Sequence, residues 1–84
     1  MNKDFVLFNL REARDQLLET IRNIESDPEY EYGAYVVEMT HLYHHLNTAW
    51  NARNASDSQA KECNEEDWRQ WRQFPSSDEI YLGP

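Results

Sequence analysis

Two stretches of helical apolar periodicity, separated by a strong break, constrain the fold of this chain most. The first stretch, residues 3–26, repeats large apolar side chains at Leu7, Leu10, Leu17, Ile21 and Ile24. The second, residues 34–54, does so at Tyr35, Val36, Met39, Leu42, Tyr43, Leu46, Ala49 and Trp50, and Arg53 completes its stripe. Such steps place side chains on one face of an α-helix. Ser26-Asp27-Pro28 ends the first helix, because the residue before proline disfavours the α region.

The short connection predicts an antiparallel helical hairpin in which the two apolar stripes face each other. Folding the chain at residues 27–33 brings the stripes into matching register. The expected neighbours are Ile24 with Val36, Ile21 with Met39, Leu17 with Tyr43, and Leu10 with Trp50. Agreement between two independent segments supports the hairpin.

A shorter third helix is expected after the polar residues 55–64. It begins either at residue 57, with Ser56 as its cap, or at residue 65, after Asn64. Either start carries it to Phe74, because Pro75 ends it. Trp68 and Trp71 would then clamp this helix over the hairpin. We expect one helical domain in residues 1–75 and a tail without helical period in residues 76–84.

The chain is short enough that we expect a second copy of it to complete the fold. Eighty-four residues bury too little surface for a generous core. Two long helices and one short one leave apolar surface uncovered. The sequence therefore predicts an all-α hairpin with a shorter C-terminal helix that dimerises into a four-helix bundle.

The charge balance excludes two classes of partner. Sixteen acidic residues outnumber eight basic ones, and the formal net charge is −8. Nucleic acids and anionic membranes both require a positive surface, which this composition does not supply. The apolar run at residues 5–8 is too short for a membrane span. With a single cysteine, Cys63, and therefore no internal disulfide, we expect a cytoplasmic protein.

The second helix carries three side chains whose spacing suits a metal ion. Glu38, His41 and His45 lie three, four and seven residues apart, which places them on one face. Two imidazoles one turn apart can hold zinc, iron or nickel, and a carboxylate can complete part of the shell. The same spacing is also typical of an ordinary solvated helix face, and the sequence favours that reading over metal binding.

The segment Glu38-Met39-Thr40-His41 resembles the Glu-x-x-His motif of the di-iron carboxylate bundles. That resemblance covers four residues. It implies a homodimer with two such motifs, in which Glu12 or Glu19 supplies the further carboxylate. The aliphatic and aromatic character of the inner stripe argues against a di-metal core.

A second candidate site lies beside the apolar stripe. Its members are Tyr43, His44, Asn47, Trp50 and Asn51. They can line a small-ligand pocket or an interface, and the polar ones can fix register between helices by hydrogen bonding. No nucleophile or glycine-rich phosphate loop accompanies them, so the sequence predicts no catalytic residues. It favours a small, acidic, non-enzymatic interaction module, with the metal site and the ligand pocket as alternatives.

Overall fold

The structure is a computed structural model that describes residues 1–76. This part of the chain contains four helices. They are α1 (Lys3–Ser26), α2 (Tyr32–Asn51), α3 (Asp57–Glu62) and α4 (Glu65–Trp71), and this part contains no strand. The long helices α1 and α2 pack along each other as the predicted antiparallel hairpin. None of the four is both long and apolar enough to cross a membrane. Beyond Ser76, the predicted tail lies outside the described residues.

Asn2 begins α1 and also ties the two ends of the hairpin together. Its side-chain oxygen accepts a hydrogen bond from the backbone N–H of Phe5, which caps the helix. Its backbone N–H donates to the carbonyl of Arg53, 2.6 Å away, and its side-chain amide donates to the carbonyl of Ala55. One residue therefore satisfies a helix start and holds the segment that follows α2.

The predicted third helix is divided into two, because both of its possible starts are used. Ser56 caps α3 in a capping box with Gln59, and Asn64 caps α4 by accepting from the N–H of Asp67. Between them Cys63 adopts a left-handed conformation, with φ of 40°, which ends α3. The helix predicted to reach Phe74 ends instead at Trp71.

The contact between α1 and α2 lies to one side of the apolar stripes, which is a correction to the expected core. The buried residues of α1 are Asn9, Ala13, Gln16 and Thr20. On α2, the buried residues are Leu42, Asn47 and Ala49. Apart from Leu42, the buried side chains of the two long helices are small or polar, and the other large aliphatic ones lie at the edge of the contact.

The displaced side chains form one surface, here called the apolar face. Its members are Leu7, Leu10, Leu17, Leu18, Ile21 and Ile24 of α1, with Tyr35, Val36, Tyr43 and Leu46 of α2. Each remains between 40% and 52% exposed. The predicted stripes are therefore only partly buried within one chain: Ala13, Leu42 and Ala49 are buried, whereas the members of the apolar face are not.

The helix α4 packs against α2 and the start of α1 and contributes the largest buried side chain, Trp71, which is 8% exposed. Its ring meets Phe5 edge-on, with ring centres 5.7 Å apart. Trp68 is 48% exposed and stacks under the guanidinium of Arg72, 3.8 Å from the ring centre. Of the two tryptophans expected to clamp the hairpin, Trp71 carries the packing.

We expect Trp71→Ala to lower the free energy of unfolding by about 3–5 kcal/mol, because it leaves a cavity between α4 and Phe5. Urea unfolding followed by circular dichroism at a fixed protein concentration measures the loss. Trp68→Ala is the matched control, with an expected loss of about 1 kcal/mol from its cation–π contact. Equal losses in the two variants would contradict this assignment.

Candidate functional site

Two rows of side-chain hydrogen bonds join α1 to α2. They meet where the rings of His41 and His45 approach each other, and together they are here called the polar seam. It consists of Asn9, Gln16, Thr20 and Asn23 of α1 with Glu38, His41 and His45 of α2. Asn9, Gln16 and Thr20 are buried, so their polar atoms need partners within the protein. Within residues 1–76, the one buried side-chain polar atom without a partner is Nε1 of Trp50, outside the seam.

Glu38 anchors the end of the seam nearest the hairpin loop. Its carboxylate accepts hydrogen bonds from Thr20 Oγ1 at 3.2 Å, Asn23 Nδ2 at 3.0 Å and the hydroxyl of Tyr30 at 2.9 Å. Partial burial and then the bond to Glu38 raise the pKa of Tyr30 to about 12. The seam thus ends at a charged acceptor that three neutral donors satisfy.

The middle of the seam has one consistent direction of donation. Thr20 gives its single hydroxyl proton to Glu38, so its oxygen accepts from Nε2 of Gln16 at 3.0 Å. The side-chain oxygen of Gln16 then faces Nδ1 of His41, 2.7 Å away. Because that oxygen can only accept, His41 donates from Nδ1.

The far end of the seam repeats this arrangement. Asn9 donates from Nδ2 to the backbone carbonyl of Phe5 at 3.0 Å, which leaves its Oδ1 to face Nδ1 of His45, also at 3.0 Å. A reversed Asn9 amide would place two acceptor oxygens against each other. His45 therefore also carries its proton on Nδ1.

The two histidines meet through their remaining nitrogens. Nε2 of His41 and Nε2 of His45 lie 3.0 Å apart, and the rings are nearly perpendicular. Burial, followed by the neighbouring His41, lowers the pKa of His45, while the charge of Glu12 acts in the opposite direction. The pair lies beside a cavity of about 330 Å³ that also reaches His44 and Cys63.

The second candidate set holds the C-terminal segment against α2. Asn47 donates to the carbonyl of Arg72 at 2.9 Å, and Asn51 donates to the carbonyls of Trp71 at 2.8 Å and Gln73 at 2.6 Å. These carbonyls lie at the end of α4, where no helical partner is available to them. The two asparagines therefore act as an interhelical cap for α4.

The other members of that set have separate contacts. Nε2 of His44 accepts from the guanidinium of Arg72. Burial, and then the charge of Arg72, lower the pKa of His44. The ring centre of Tyr43 lies 5.2 Å from that of Phe74, and Arg53 covers the ring of Trp50. Four of the five side chains thus contact α4 or the residues after it.

The predicted metal set is brought onto one side of the hairpin but is not assembled as a trio. His41 and His45 face each other, whereas the oxygens of Glu38 bind Thr20, Asn23 and Tyr30. Among residues 1–76, no three histidine, cysteine, aspartate or glutamate side chains are grouped to hold a metal ion. His41 is exposed and His45 is half-buried, and both donate hydrogen bonds to α1.

Sequence reasoning missed the α1 half of the seam. Its members, Asn9, Gln16, Thr20 and Asn23, recur at steps of seven, four and three beside the apolar stripe. This row of uncharged polar residues was the available signal, since an exposed helix face usually carries charges. The apolar stripe beside it is wider, and apolar periodicity alone therefore predicts that the stripe is the contact face.

No model of a known protein family matches the chain, and the searches of curated proteins and of solved structures found no match either.

We expect Glu38→Gln to lower the pKa of Tyr30 from about 12 toward 10, because the variant removes the negative charge and keeps an acceptor. In the native chain the raised pKa stabilises the folded state while the phenol is protonated. That contribution is lost as the pH rises from about 10 to about 12. NMR titration of the tyrosine ζ carbons measures the pKa, and Tyr30→Phe identifies the signal. An unchanged pKa in Glu38→Gln would contradict the proposed pairing.

Proposed function

We propose that this chain is a non-enzymatic interaction module that works as a homodimer, in which two hairpins form a four-helix bundle. The observation that carries the proposal is the apolar face, which both long helices build and which the described residues leave 40–52% exposed. A second copy of the chain offers the same face, as a two-fold interface requires.

The size of the apolar face supports a second copy as its occupant. Its ten side chains are each about two-fifths to one-half exposed. At ordinary residue areas this amounts to roughly 800–900 Å² of exposed surface, close to the ~800 Å² that each partner contributes to a standard interface. The largest apolar patch on a typical monomer is about 300–600 Å². The face is therefore larger than an isolated chain usually leaves in water.

The core within one chain supports the same conclusion. Among residues 1–76, the buried hydrophobic residues are Ala13, Leu42, Ala49, Ala52 and Trp71. Three of these five are alanines, which supply little apolar burial. Dimerisation through the apolar face would add ten large side chains to this core.

The distribution of charge supports self-association despite the net charge of −8. By helical position, the apolar face carries no carboxylate between Leu7 and Ile24 on α1 or between Tyr35 and Leu46 on α2. Arg14 is the one charged side chain that interrupts it, and this arginine pairs with Asp15 at 3.0 Å. Two copies can therefore approach without placing acidic groups against each other.

The proposal retains the cytoplasmic location expected from the sequence. Cys63 is exposed and unpaired. A lone exposed thiol is kept reduced in the cytoplasm and is open to oxidation outside it. Compartment-specific labelling of the thiol in cells tests this part of the proposal.

We expect the native chain to sediment as a dimer of twice 10.1 kDa and Leu17→Glu to sediment as a monomer. The substitution places a charge in the middle of the apolar face, where dimerisation would bury it. Val37→Glu is the matched control, because Val37 is 69% exposed but lies on the opposite side of α2. That variant should remain a dimer.

Circular dichroism of each variant shows whether it is folded, and a thermal midpoint that rises with protein concentration supports dimerisation independently. A native chain that is folded and monomeric at 100-fold different concentrations would overturn the homodimer. The apolar face would then be left for a different protein.

A further inference from the structure

The polar seam brings two ring nitrogens close together, and neither of them is engaged by α1. His41 and His45 both carry their protons on Nδ1, because Gln16 and Asn9 present only acceptor oxygens there. Each Nε2 therefore has a free lone pair, and the two nitrogens lie 3.0 Å apart. Two bare lone pairs at that distance repel, so the arrangement is suited to a cation bound by both.

The distance between the two nitrogens fits a metal ion. At a metal–nitrogen distance of about 2.0–2.1 Å, two ligand nitrogens lie about 2.8–3.4 Å apart for bond angles of about 90–110°. We propose that His41 and His45 chelate one divalent transition-metal ion, of the zinc, nickel or copper type, through their Nε2 atoms. Imidazole is a preferred ligand of these metals.

The neighbours of the histidines act as orienting groups. Histidines that bind metal usually donate their other N–H to a carboxylate, a carbonyl or a water, which fixes the ring and the tautomer. Gln16 and Asn9 do this here at 2.7 and 3.0 Å. Glu38 is linked to His41 by hydrogen bonds through Thr20 and Gln16. Its role is therefore to orient the residues of the seam, and it does not bind the ion.

The rest of the coordination shell is open. Glu12 is one candidate for a third ligand, since its charge acts on His45. In the described part of the chain it is not grouped with the two histidines, so it would need a different rotamer to reach the ion. The adjoining cavity of about 330 Å³ has room for water or a small anion at the remaining positions.

The proposal is independent of dimerisation, because both histidines lie on the same helix of one chain. The test is titration of untagged protein with Zn²⁺ and Ni²⁺, followed by isothermal calorimetry. We expect one ion per native chain. His41→Gln and His45→Gln should each weaken binding at least about tenfold, since one of two protein ligands is lost.

Two further variants separate metal binding from general damage to the seam. Gln16→Met removes the acceptor that holds the His41 tautomer and should weaken binding about 10–100-fold. Gln16→Glu keeps an acceptor and should retain binding. His44→Gln is the matched histidine control, because Nε2 of His44 is already engaged by Arg72, and it should bind as the native chain does.

The ¹⁵N chemical shifts of the imidazoles identify the ligating atoms. With Zn²⁺ bound, we expect the Nε2 signals of His41 and His45 to shift while both Nδ1 atoms remain protonated. Native-like binding in the His41→Gln, His45→Gln double variant would overturn the proposal. So would a native chain that binds neither ion and instead holds a proton between the two Nε2 atoms.

Discussion

The rest of the structure depends on the hydrogen-bonded polar seam between α1 and α2. Buried amide and hydroxyl groups are costly without partners, and Asn9, Gln16 and Thr20 are all buried at this contact. These residues reach their hydrogen-bond partners on α2 only when both helices are rotated so that the polar side chains face each other. That rotation places the seam on one side of the hairpin and turns the large aliphatic side chains outward. A single polar contact thus determines both candidate surfaces of the molecule.

The two surfaces have different chemical character because they lie on opposite sides of the same contact. The seam side is covered near its open end by α4, whose Trp71 packs on Phe5. The other side is the apolar face, which has the extent of a dimer interface. The two proposed roles, binding of an ion and binding of a second chain, would therefore use different sides of the hairpin.

The sequence was sufficient for the helices because their signals are local. Proline after Asp27 and the capping residues Asn2, Ser56 and Asn64 act within a few residues of the chain. The all-helical class and the two long packed helices follow from those signals. The sequence does not predict the division into α3 and α4, because that division depends on the left-handed conformation of Cys63. That conformation is rare outside glycine and leaves no clear mark in the sequence.

The rotation of the two helices could not be read from the sequence, because periodicity identifies an apolar stripe without saying what covers it. The stripe holding Leu17 and Ile21 suits a contact with α2 or with another chain equally well. What decides between them is the combined hydrogen bonding of residues far apart in sequence, such as Gln16 with His41 and Asn9 with His45. The same long-range pairing explains why the spacing of Glu38, His41 and His45 suggested a trio, whereas the structure places a pair beside a separately bonded carboxylate.

The most direct test of the polar seam as the inner contact is a nuclear Overhauser experiment on a mixture of isotope-labelled and unlabelled chains. Contacts between chains are expected from the methyl groups of Leu17 and Ile21. Contacts within one chain are expected between the His41 ring and Gln16. The opposite pattern, in which Leu17 and Ile21 contact only their own chain while the His41 ring contacts no part of α1, would contradict the arrangement of the hairpin.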